Sequence, residues 1–181
     1  MISMLRAGAM FALIAAPAIA AAQSTNNVHF NIAAGVTFPT SDYGDRYDNG
    51  YNLVVGVGMQ QRNSPLGFRA EGLYNEFSAK CGNEFGNCSG KAHAGGVTGN
   101  LTFDVLQPSR TQSNTLYLIG GVGYYSTKDA FSVDSRSDIG YNIGGGFAFP
   151  LSGFSPYIEV RYHTISNASV SFVPISFGLR F

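Results

Sequence analysis

Three histidines, two cysteines and eleven carboxylates are the residues of this chain equipped for chemistry. His163 precedes Ser166 by three positions in HTIS, a pair that invites a nucleophile-and-base reading. Such a pair needs mutual hydrogen-bond reach and a third group to orient the base. Residues three apart on a strand point to opposite faces, and no Asp or Glu follows Asn167. His163 therefore reads as an interior or rim polar group, and His29 and His93 stand in no such pattern either. Asp42, Asp45 and Asp48 in SDYGDRYDNG lack the alternate spacing and later Glu of a calcium loop, so a solvated, turn-rich loop is expected there. GVGYY from Gly121 and GGGF from Gly144 open no helix, which removes them as phosphate cradles. No catalytic set, metal site or cofactor site is predicted, and the chain reads as a non-enzyme.

The cysteines belong to the polar stretch CGNEFGNC, with only His93 nearby as a further zinc ligand. A Cys81–Cys88 disulfide is the expectation, provided the chain is exported to an oxidising compartment. Export is indicated at the N-terminus. Arg6, an uncharged run from Ala7 to Ala22 broken by Pro17, and small residues before a cleavage point form a secretory signal over 1–22. Cleavage after Ala22 would start the mature domain, 23–181, at Gln23. The run is too short for the ~20 residues of a spanning helix.

Composition fits an unusual surface. Charged residues make up 12% of the 181, about half the ~25% of an average soluble domain, while 23 glycines are nearly twice the usual share. Basic and acidic residues balance at 11 each, so there is no electrostatic footprint for nucleic acid. Abundant aromatics, 14 Phe and 10 Tyr, argue against disorder.

The elements that must position these residues are strands. Period-two alternation recurs eight times after the signal. Phe30, Ile32, Ala34, Val36 and Phe38 share one face. So do Tyr51, Leu53, Val55, Val57 and Met59, then Phe68, Ala70, Gly72 and Tyr74, then Val97, Gly99, Leu101, Phe103 and Val105. The segment 116–127 is apolar on both faces and cannot be oriented. Tyr141 to Phe149, Ile158 to Tyr162 and Val173 to Phe181 resume the pattern. Pro174 lies inside the last segment, where its missing N–H predicts a bulge.

Longer polar connections at 39–50, 78–91 and 126–138 alternate with tight turns at 63–66 and 150–153. Long loops at one end and short turns at the other are the asymmetry of an outer-membrane barrel. The faces agree. The apolar faces are too bulky to fit together inside eight strands, while the polar faces are glycine-rich and carry only Arg69, Glu71, Asp104, Glu159, Arg161 and Arg180. The expectation is an all-β, eight-stranded antiparallel up-and-down transmembrane barrel. Its six lumen charges, three of each sign, would form a connected polar network plugging the axis. A periplasmic ligand-binding barrel of lipocalin type is the soluble alternative.

The ending VPISFGLRF resembles the last strand of the bacterial outer-membrane β-barrel family that includes OmpA-like and OmpX-like small barrels. Ile175, Phe177, Leu179 and Phe181 match its alternate apolar positions and terminal aromatic, and EVRYH and GYNIGGGFAFP resemble the two preceding strands. The resemblance covers 27–181. It implies recognition of those four residues by the outer-membrane assembly machinery, residence in the bacterial outer membrane among lipid and lipopolysaccharide, and a monomer. HTISNA also resembles the His-Ser region of eight-stranded lipid A deacylases, but the spacing argument above tells against that activity. The expected role is an envelope structural or surface-display protein using loops 39–50, 78–91 and 126–138 toward a surface ligand, with a narrow pore as the alternative.

Overall fold

A strand with one bulky apolar face and one small or polar face belongs to a sheet with two unlike sides, and only closure leaves such a sheet without an unpaired edge. The computed structural model describes residues 26–61, 64–80, 90–106, 114–130, 134–149, 151–166 and 170–181. In it the strands are β1 (Asn26–Thr40), β2 (Gly50–Gln61), β3 (Leu66–Ser78), β4 (Lys91–Leu106), β5 (Thr115–Lys128), β6 (Ser135–Ala148), β7 (Ser155–Ile165) and β8 (Val170–Arg180). Each is antiparallel to its neighbours in sequence, and β1 pairs with β8 to close the barrel. At that seam Phe181 N–H donates to Phe30 O at 2.8 Å and Phe30 N–H to Phe181 O at 3.1 Å.

The bulky faces point outward. Ile32, Leu53, Phe68, Leu101, Leu118, Ile143, Val160 and Phe177 are exposed, whereas Asn31, Asn52, Arg69, Asn100, Asn142, Glu159 and Ser176 are buried inside. This is the reverse of a soluble ligand-binding barrel, which keeps its apolar face within. The segment that pattern could not orient resolves the same way: Tyr117, Ile119 and Tyr125 of β5 are buried, and Leu116, Leu118, Val122 and Tyr124 are exposed. Tyr51, Tyr74, Tyr124, Tyr141 and Tyr162 are exposed toward the loop end, and Phe30, Phe68, Phe103, Phe149 and Phe181 toward the turn end. Aromatic girdles of this kind sit at the two interfaces of a membrane barrel.

Two sequence expectations need correction. Pro174 makes no bulge: β8 keeps one register against β1, with Thr37 opposite Pro174, and the same register against β7 on either side of it. The ladder tolerates a missing donor without slipping, because register is held by neighbouring pairs on both edges. A register shift falls instead between Asp104 and Leu106 on β4. Second, the 39–50 connection is more than a solvated loop. β1 runs on to Thr40, and a single-turn helix, α1 (Ser41–Arg46), packs against β1 and β8 with Tyr43 buried. Ser41, at φ 55°, makes the turn into it. Several strands also outrun their apolar segments: β4 begins at Lys91 and β6 at Ser135, extending polar backbone beyond the apolar band.

Candidate functional site

Residues two apart on a strand share a face, so Arg69 and Glu71 of β3 and Glu159 and Arg161 of β7 all enter the lumen. β3 and β7 are opposite walls of the closed sheet. The four side chains meet across the axis as a closed cycle in which each carboxylate touches both guanidinium groups. Glu71 Oε2 accepts from Arg161 Nη1 at 2.7 Å, and Glu71 Oε1 lies 3.0 Å from Arg69 Nε. Glu159 Oε1 is 2.7 Å from Arg161 Nε, and its Oε2 accepts from Arg69 Nη2. Arg69 and Glu159 are 1% and 2% exposed. Ions this dry are tolerated only when paired and hydrogen-bonded.

Neutral donors complete the cycle. Asn31 Nδ2 donates to Glu71 Oε1 at 3.0 Å, Asn100 Nδ2 to Glu71 Oε2 at 3.0 Å, and Tyr117 OH to Glu159 Oε2 at 2.7 Å. Asn142 Nδ2 in turn donates to Asn100 Oδ1 at 2.8 Å. The network thus joins β1, β3, β4, β5, β6 and β7. Charge balance within the ring is two against two, and both carboxylates have every oxygen engaged.

Aromatic rings fill the lumen on both sides of this layer. Toward the loops, Tyr125 Oη lies 2.9 Å from His163 Nδ1, and the His163 ring stacks on Phe172 at 4.9 Å and 6°. Phe172 meets Phe77, Phe77 meets Tyr43, and Tyr43 meets Tyr47 at 4.5 Å. Tyr47 OH donates to Asp129 Oδ1 at 3.2 Å, fastening the helix segment to the far rim. Burial pushes the phenols of Tyr43 and Tyr47 above their ordinary range, so both stay neutral. Toward the turns, the guanidinium groups of Arg69 and Arg180 both lie over the Tyr117 and Tyr157 rings, at 5.4 to 5.9 Å from the centroids. Glycine makes room for these tyrosines: a Cβ on Gly146 would collide with the Tyr117 hydroxyl.

The sequence-predicted residues are therefore divided. Arg69, Glu71, Glu159 and Arg161 come together, while Arg180 stacks on tyrosines and Asp104 is half-buried outside the ring. His163 is locked in the aromatic stack, and Ser166 lies beyond β7 in the turn, its N–H donating to Ile139 O at 3.0 Å. Ile175, Phe177, Leu179 and Phe181 line the outer face of β8. Cys81 and Cys88, like the 1–22 signal, lie outside the described residues. Among the described residues no group of three or more His, Cys, Asp or Glu side chains could hold a metal. Sequence reasoning missed Asn31, Asn100 and Tyr117 as ring partners and Tyr43 and Tyr47 as the cap. The asparagines stood on the polar faces, a signal that was available, whereas Tyr117 sat in the segment with no readable face.

The model of the family described as outer membrane protein beta-barrel domain matches residues 9–181. The chain belongs to this outer-membrane β-barrel family. Membership places it in the bacterial outer membrane, where the exposed apolar wall meets lipid. A search of curated protein sequences returns no match. Among solved structures, Neisserial surface protein A matches at 15% identity with TM-score 0.66, covering 86% of this chain and 97% of that one. OprG from Pseudomonas aeruginosa matches at 13% and 0.58, covering 88% and 98%. Ail, the attachment invasion locus protein of Yersinia pestis, matches at 18% and 0.50, covering 87% and 99%. At these identities the likeness is one of fold.

Proposed function

We propose that this family member is a plugged membrane anchor that displays its outer loops, 39–50, 78–91 and 126–138, as an envelope structural or attachment protein, and that it is neither a pore nor an enzyme. The observation that supports this most is the closed Arg69–Glu71–Arg161–Glu159 ring, which spans the lumen from wall to wall. A side-chain-filled eight-stranded barrel has no aqueous path. The engaged carboxylates and the stacked His163 offer no poised base. Function is then left to the loops, and a displayed role is in keeping with the name of Ail, an attachment invasion locus protein built on the same fold. Cleavage after Ala22, a Cys81–Cys88 disulfide in the second loop, recognition of the β8 ending by the assembly machinery and a monomeric state complete the reading.

The test is loop topology in intact cells. An epitope inserted between Gly44 and Asp45 should be reached by antibody from outside, and one inserted at Ser152 only after permeabilisation. The reverse pattern, or recovery of the protein in the soluble periplasmic fraction, would overturn the display reading.

A further inference from the structure

Outward-pointing charge on the described strand residues is confined to one place. Among the described strand residues, the charged side chains that alternate outward are Glu76 of β3, Lys91 of β4 and Lys128 of β5, and they surround His93 of β4. The register lines them up: Tyr51 is opposite Glu76, Glu76 opposite His93, and His93 opposite Lys128, a single row across four strands at the loop end. An ion on the lipid face costs several kcal/mol at the midplane and almost nothing at the interface. This row lies beside the tyrosine girdle, where the cost is least.

We propose that Lys91 and Lys128, on either side of His93, hold the phosphate of an outer-leaflet lipid. Glu76 is already occupied, accepting from Lys91 Nζ at 2.5 Å, Tyr51 OH at 3.1 Å and Tyr74 OH at 3.2 Å. It fixes the lysine without consuming it, since an ammonium has three donors and the Lys91 side chain is 63% exposed. Tyr74 Oη sits 2.6 Å from His93 Nδ1, which orients the half-buried ring between the two lysines. Two lysines against one carboxylate leave the cluster positive. The occupant is a lipid rather than a soluble anion because of the wall that lies toward the membrane midplane. Leu53 and Val55 of β2, Val97 of β4 and Tyr124 of β5 form an exposed apolar wall under the same row. A molecule held at the lysines must lay its remainder against that wall, which suits a phosphate carrying acyl chains. The proposal rests on the membrane placement above and adds a site to it.

Native mass spectrometry of the purified, detergent-folded protein provides the test, using lipid A bearing its phosphates and the same lipid dephosphorylated as probes. The wild type should retain the phosphorylated form preferentially, and Lys91→Gln with Lys128→Gln should lower retention by about tenfold or more. Arg46→Gln, which removes an exposed cation of α1, packed against β1 and β8, should leave retention unchanged. Equal retention of both lipids, equal retention by the double variant, or full displacement by millimolar inorganic phosphate alone would overturn the site. Each variant is scored only as its heat-modifiable folded band, so a wild type that never forms that band would overturn the membrane reading itself, whereas a folded protein indifferent to phosphate overturns the site alone.

Discussion

Arg161 touches both carboxylates of the lumen ring, so its removal strands charge in the driest part of the molecule. Breaking a buried pair by deleting one partner typically costs about 3 to 5 kcal/mol. Arg161→Leu should therefore lower the urea midpoint of the detergent-folded protein by a corresponding amount, and an unchanged midpoint would mean that water already solvates the ring. Gly146 sets a second residue-scale limit. A side chain there meets Tyr117, whose hydroxyl is tied to Glu159. Gly146→Val should cost roughly 1 to 3 kcal/mol by overpacking, read from the same unfolding curve. The charged members of the ring were legible in the sequence because alternation alone assigns Arg69, Glu71, Glu159 and Arg161 to one side. Who pairs with whom was not, because pairing depends on which strands face each other across the lumen. Asp104 and Arg180 share that side with the ring and still fall outside it, since they sit nearer the turns.

At the scale of elements, β8 closes the barrel and carries the terminal aromatic. Phe181, just past the strand, exchanges two backbone hydrogen bonds with Phe30, the pair that seals the seam at the turn end. Deleting Phe181 should sharply reduce the heat-modifiable fraction in cells while signal cleavage proceeds, as seen by immunoblot of boiled and unboiled samples. Undiminished folding would mean that neither the seam contact nor the ending matters to assembly. Strand identity was legible because every strand repeats one simple period, and β5 was ambiguous because Tyr117, Ile119 and Tyr125 put bulky side chains on its lumen face. The Pro174 bulge failed as an expectation for a related reason: a local rule about one missing donor yields to register fixed on two edges. α1 was hidden for want of length, its six residues carrying too little periodicity to stand out from a turn-rich loop.

For the whole molecule, closure and filling go together. A closed sheet has no edge to fray, and the lumen holds a neutral ion ring between two aromatic layers, capped by Tyr43 and Tyr47. The apolar wall outside and the polar plug inside were both predictable from the alternation and the small number of charges. The continuity of the plug was not, because the stack from Tyr47 to His163 is built by residues from β3, β7, β8 and the α1 region. A lumen filled in this way should pass no ions, and single-channel recording in planar lipid bilayers is the measurement that checks it. The wild-type protein should give no steady conductance, and Arg161→Leu at most brief, irregular openings. Large, stable channels from the wild type would show an open, wet lumen and contradict the account.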